Sequence, residues 1–157
     1  MTRTRGRGAP GERVEGAVPC GHWKTLTLLG ALRLEGVAAL ATVDAATDTD
    51  VFHAFVHDIL VPALRPGDVV VWDGLGPHKA ERVRREIVSA KAELMPLPPY
   101  SPDLSPIEPC WSKVKGHVRD VGPRTTEAMG RAAADGFAGV NGSDARGWFA
   151  KCGYRVH

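Results

Sequence analysis

Asp73 closes the run Val69-Val70-Val71-Trp72-Asp73, and Glu108 ends the proline-stiffened run Leu97-Pro98-Pro99-Tyr100-Ser101-Pro102-Asp103-Leu104-Ser105-Pro106-Ile107-Glu108, 35 positions later. A carboxylate at the carboxyl end of a buried strand is rigidly held and faces the crevice where ligands bind. Two acids so placed suit a shared, oxygen-seeking divalent cation. Two-cation phosphoryl transfer normally draws on a third acid, and no good candidate precedes Asp73. Each acid also has a plainer role open to it. Asp73 would equally cap an Asp-Gly turn. Ser105-Pro106-Ile107-Glu108 fits a capping box in which the Glu108 carboxylate folds back onto the Ser105 N–H. Pro98, Pro99, Pro102 and Pro106 restrict the approach to Glu108 and so help fix where its carboxylate points. His78 and Lys79 open a helix just beyond Asp73. They are either solvated first-turn residues or, with the free N–H groups there, a hold for a phosphate oxygen.

These acids need a sheet and flanking helices to position them. Lys24 to Leu32, a turn at Glu35-Gly36, and Val37 to Val43 read as a β-hairpin. Thr47 to Leu64 reads as a helix, because Val51, Phe52, Phe55, Val56, Ile59, Leu60 and Leu64 recur at three-to-four spacing. Asp68 to Asp73 is apolar throughout its centre, as a strand covered on both faces is. Gly76-Pro77 starts a helix to about Ala90, and Glu93 to Leu97 is a short strand. Strand, helix and strand in that order predict a right-handed crossover and a parallel pair, with Asp73 opening onto the crevice. Ser105 to about Arg119 is a further helix. Thr125 to Val140 and Ser143 to Lys151 read as weaker ones, interrupted by Gly136, Gly139 and Gly142.

The 157 residues are enough for one domain, and 43% hydrophobic with 24% charged residues is the composition of a soluble globular chain. A net charge of +2 excludes a globally basic face, so any nucleic-acid surface is a local patch. Arg3, Arg5, Arg7 and Arg13 form the obvious cluster, either a terminal arm without structure or one that tracks phosphates. Cys20, Cys110 and Cys152 are odd in number and widely spaced, which suggests buried thiols in a reducing cytosol rather than a disulfide framework. No apolar run is long enough for a membrane span or a secretory signal.

Asp73-Gly74-Leu75-Gly76-Pro77-His78-Lys79 and the run Leu97 to Glu108, with Trp111 and Lys115 beyond, closely resemble the catalytic domain of transposases of the IS630 group in the Tc1/mariner superfamily. Trp23 to Leu32, Val51 to Phe55 and Gly153-Tyr154 also look similar, so the resemblance covers nearly the whole chain. It implies an α/β, ribonuclease H-like fold, a mixed sheet with flanking helices that lacks its first strand. Residues 1–22 would be a basic arm and 23–157 the catalytic domain. It further implies Mg²⁺ or Mn²⁺ as cofactor and DNA, both transposon ends and target, as partner. Asp73 matches the second acid of an Asp, Asp, Glu set and Glu108 the third. His78, Lys79, Lys115 and the arginines at 3, 5 and 7 would contact DNA. The first acid would lie on a strand upstream of the region around Arg7 to Gly16. Asp44, Asp48 and Asp50 do not substitute, because they follow the second visible strand at the sheet edge. The helix-turn-helix segment that reads transposon ends is missing as well. Little or no cleavage by this polypeptide alone is therefore expected. The alternative is a catalytically silent remnant that folds and associates, with itself or with full-length relatives. Either would work in the bacterial cytoplasm, on the nucleoid when bound to DNA. Gly74 and Ser105 stand where the family usually has Asn, which removes a hydrogen bond near Asp73 but is expected to keep the helix cap.

Overall fold

The computed structural model describes residues 6–15, 26–73 and 81–156. Strands β1 (Thr27–Arg33) and β2 (Gly36–Val43) form an antiparallel hairpin. Gly36 adopts φ +129°, and a side chain there would also press on the Val140 carbonyl at 3.4 Å, so glycine is required at this turn. The ladder pairs Ala31 with Ala39 but Leu32 with Val37, leaving Ala38 as an extra residue. A bulge of this kind exchanges the two faces along one strand. Accordingly Ala39 and Ala41 belong to one core, while Val37 and Leu40 belong to the other.

Helix α1 (Thr49–Phe55) is capped by Asp48, whose carboxylate accepts from the N–H groups of Asp50 and Val51. It continues through a π turn (Val56–Leu60) into a final short turn, α2 (Val61–Ala63). Pro62 explains the irregularity. A proline lacks the N–H of a regular helix and its ring collides with the carbonyl four residues back, and a widened turn just upstream relieves both.

Strand β3 (Val69–Trp72) pairs in parallel with β4 (Glu93–Pro96), through α3 (Glu81–Ser89). Pro96 cannot donate to a ladder, which suits β4 to an edge. Residues Gly76 to Ala80, where the sequence starts this helix, lie outside the described residues. After a 3₁₀ turn (Pro102–Leu104) come α4 (Ile107–Val121), α5 (Thr126–Ala138) and α6 (Gly142–Lys151). Gly136 does not interrupt α5 as expected. A Cβ at that position would stand 3.2 Å from Val114 Cγ1, so the glycine lets α5 lie close against α4.

Two cores result, on opposite faces of the hairpin. Phe52, Phe55, Val56, Val83 and Ile87 gather with Leu29 and Ala31 of β1 on one side. Cys110, Val114, Val118, Ala133 and Phe137 gather with Leu28 and Leu32 on the other. The hairpin and the β3–β4 pair are two separate two-stranded sheets among the described residues. Among those residues no helix is long and apolar enough to cross a membrane.

Candidate active site

Asp73 directly follows β3 and is exposed. The strand behind it is anchored by Trp72, whose ring packs at 6.1 Å from that of Phe52. Glu108 stands in the first turn of α4, also exposed. The loop leading to it is fixed residue by residue. Tyr100 takes φ +58°, Ser101 Oγ donates to the Pro99 carbonyl at 3.4 Å, and the 3₁₀ turn hands over to an extended Ser105. A residue before proline is pushed toward extended geometry, and Pro106 follows. Tyr154 Oη donates to the Leu104 carbonyl at 2.9 Å and so ties this loop to the C-terminal segment.

The expected capping box is not formed. Pro106, not Ser105, is the N-cap of α4, with no side-chain capping bond, and the Glu108 N–H donates to the backbone carbonyl of Ser105 at 3.1 Å. The capping role open to Ser105 is thus not taken up. The consequence is that the Glu108 carboxylate is not drawn back into the helix end.

Asp73 and Glu108 line one cavity of about 640 Å³, together with β1, β3, Trp111, Phe149 and Tyr154. Asp68 also borders it but is engaged elsewhere, accepting from Arg33 Nη2 at 2.6 Å and from the Arg65 N–H at 2.8 Å. Asp48 is the cap of α1, and Asp50 pairs with Arg82. Among the described residues no group of three or more His, Cys, Asp or Glu side chains is placed to hold a metal ion. What the cavity offers is two oxygen donors of the kind that hard cations prefer, with water left to complete the shell.

A family model described as "DDE superfamily endonuclease" matches residues 1–129. The chain belongs to the DDE superfamily endonuclease family. Its fold is that of a solved transposase. The Mos1 transposase paired-end complex with left transposon end superposes with a TM-score of 0.75 at 20% identity, over 96% of this chain and 47% of that one. The Mos1 mariner paired-end complex with Mn gives 0.72 at 20% identity, over 97% and 47%. The catalytic domain of Mos1 mariner transposase gives 0.63 at 18% identity, over 85% and 77%. The chain thus spans about half the length of the first two. No curated protein sequence matches it. The resemblance read from the motifs agrees with the family match, and the expected ribonuclease H-like α/β class agrees with the shared fold.

Within this DDE-family domain the remaining expected site residues are dispersed. His78, Lys79, Arg3 and Arg5 lie outside the described residues. Arg7 sits in an exposed segment, and Lys115 is exposed on α4 two turns beyond Glu108. Cys110 is buried in the second core, where desolvation pushes its thiol up to about 11, so it serves packing rather than metal binding. Sequence reasoning missed Phe149 as part of the cavity wall, and it noted Tyr154 only as a point of similarity. The two rings meet edge to face at 5.5 Å, and only a contact spanning 50 residues brings Tyr154 to the Leu104 carbonyl. Nothing local in the sequence signals that contact.

Proposed function

We propose that this chain is the catalytic-domain portion of a DDE transposase, acting on DNA with Mg²⁺ or Mn²⁺ held between Asp73 and Glu108. One observation carries the reading. The acid at the end of β3 and the acid in the first turn of α4 border the same cavity, and the second has been released from its helix cap. When bound, such cations activate water and stabilise the charge of in-line displacement at phosphorus. The residues of the chain hold and orient. β3 fixes the Asp73 carboxylate, the proline loop and its Tyr154 tie fix that of Glu108, and exposed Lys115 and Arg7 offer positive charge to a phosphate backbone.

Glu35 and Asp68 also line the cavity, but only Asp73 and Glu108 match acids of the family motif, so with two of the three the chain alone is expected to cut DNA little or not at all. That same count favours a second reading, a silent module that folds and associates with longer relatives. Calorimetric titration with Mn²⁺ tests the site itself. The chain should bind Mn²⁺, and Asp73→Asn or Glu108→Gln should each weaken binding at least about ten-fold while circular dichroism stays unchanged. Binding that survives both substitutions would remove these acids from the site. Mn²⁺-dependent nicking that vanishes in Asp73→Ala would refute the expected inactivity and the silent-module reading together.

A further inference from the structure

Among the described residues Val14, Val69, Val88, Met95 and Val121 are large apolar side chains exposed at 47 to 57%, so about half of each is still covered by the fold. Tyr100 stands at 102%. Its ring therefore contributes to neither core. Its backbone sits at φ +58°, in the left-handed region where an L side chain of this bulk is disfavoured and glycine is at ease. Folding alone would favour glycine here. A tyrosine held in that conformation with a bare ring has a use outside the folded chain.

The segment that carries this ring is anchored on both sides. Before it, the Leu97 N–H donates to the Trp72 carbonyl at 2.7 Å, so the pairing of β4 with β3 runs on past Pro96 to the residue that precedes Asp73. After it, the Leu104 N–H donates to the Ser101 carbonyl at 3.2 Å, and Tyr154 Oη holds the Leu104 carbonyl at 2.9 Å, one helical turn short of Glu108. Ser101 Oγ reaches across Tyr100 to the Pro99 carbonyl at 3.4 Å. Pro98, Pro99 and Pro102 restrict the freedom that is left. Tyr100 thus stands on the fixed segment that joins the Asp73 end of β3 to the turn bearing Glu108. A ring mounted in this way, with only two side-chain torsions, gives up little freedom when it is covered.

Asp103, exposed three residues on, disfavours a phosphate at the ring itself. A nucleobase carries no such charge, and every base offers a π face to an aromatic side chain. Bases inside a duplex are already stacked on their neighbours, so only an unpaired one is available. We propose that Tyr100 stacks on one unpaired nucleobase of the strand whose phosphate is held at Asp73 and Glu108, and so positions that strand. This rests on the reading of the two acids as a site that acts on DNA. It adds a positioning residue and a form of substrate, DNA with a base outside the duplex.

The test uses the full chain in EDTA and a duplex of about twenty base pairs with a single-stranded tail of about five nucleotides, 2-aminopurine standing at each tail position in turn. Binding should quench the fluorophore at one position several-fold more than at its neighbours. Tyr100→Phe and Tyr100→Trp should keep that pattern, because the face of the ring stacks and the hydroxyl does not. Tyr100→Leu and Tyr100→Gly should abolish it and weaken binding of the tailed duplex about ten-fold, against less than about two-fold for the same duplex without its tail. Tyr100→Gly should meanwhile leave the urea midpoint unchanged or raised, since glycine relieves the left-handed backbone. Quenching that survives Tyr100→Leu, a lowered midpoint in Tyr100→Gly, or no binding of the tailed duplex would overturn the proposal. Self-association that Tyr100→Gly abolishes, with DNA binding unchanged, would give the ring to a second copy and overturn it as well. The Mn²⁺ titration contains no DNA, so failure of the metal reading and failure of this one are told apart.

Discussion

Asp73 ends a four-residue strand backed by the core around Val83 and Ile87, whereas Glu108 stands in the first turn of a fifteen-residue helix backed by the core around Cys110 and Val114. Among the described residues the hairpin serves both cores, its β1 giving Leu29 and Ala31 to one and Leu28 and Leu32 to the other. The acids are thus backed by two different cores that share the hairpin as a wall. A defect in either half should move one acid and leave the other in place.

The largest effects are expected from emptying each core in turn. Ile87 and Val114 are buried at 0% and 1% exposure. Ile87→Ala should cost about 2 to 5 kcal/mol, and Val114→Ala about 1.5 to 3 kcal/mol, both read from urea denaturation. In the double variant the costs should add to within about 0.5 kcal/mol, as they do for sites with no shared partner. Strong non-additivity would mean that the hairpin couples the halves into one core.

A smaller effect should come from the link that crosses between the sheets. Arg33 donates from Nη2 to the Ala63 carbonyl at 2.9 Å and to Asp68 at 2.6 Å, joining the hairpin to the start of β3. Both side chains are partly exposed, at 22% and 29%, so the pair is screened. Arg33→Ala should cost about 1 to 2 kcal/mol in the same assay, and Arg33→Lys should recover part of it, because the ammonium keeps the charge but not the planar geometry that places Nη2 between the two acceptors. An Arg33→Ala variant as stable as the parent would show that the sheets keep their separation without this tie.

What the sequence made legible was whatever repeats along the chain. The hairpin, the amphipathic runs of α1 and α4 and the parallel β3–α3–β4 unit follow from periods of two and of three to four. The family motif, read as a string, pointed to Asp73 and Glu108 together. Three features escaped because they depend on a single residue or on distant contacts. Pro106, not Ser105, stands at the N-cap of α4. Ala38 reversed the faces of β2 through a bulge that no pattern of apolar residues announces. The Tyr154 bond to Leu104 joins segments 50 residues apart. The cavity itself is a space between elements, and a sequence lists only the elements.

The smallest expected effects lie in pH, and they separate the halves chemically. In the second half Lys113 Nζ bonds Asp144 at 2.5 Å across α4 and α6 and also reaches the Gly139 carbonyl. The Asp144 carboxyl is held below its ordinary range, first by that lysine and then by the Asn141 N–H. A carboxyl with a lowered folded value contributes fully above its unfolded value, and the contribution fades as pH falls through the folded one. Burial acts in the opposite direction on Cys110, raising the thiol from 9.0 to about 11. The neutral thiol is then the favoured folded form, so its contribution is complete below 9.0 and is lost as pH rises toward about 11. In the first half Glu86 is likewise lowered, chiefly by a hydrogen bond from His57, which gives an acid limb. Among the described residues the first core contains no cysteine to match Cys110. Urea midpoints measured from pH 8 to pH 11 should therefore fall more steeply for the parent than for Cys110→Ala, while Asp144→Asn should flatten the acid side alone. Identical alkaline limbs for the parent and Cys110→Ala would mean that the second core opens before its thiol ionises.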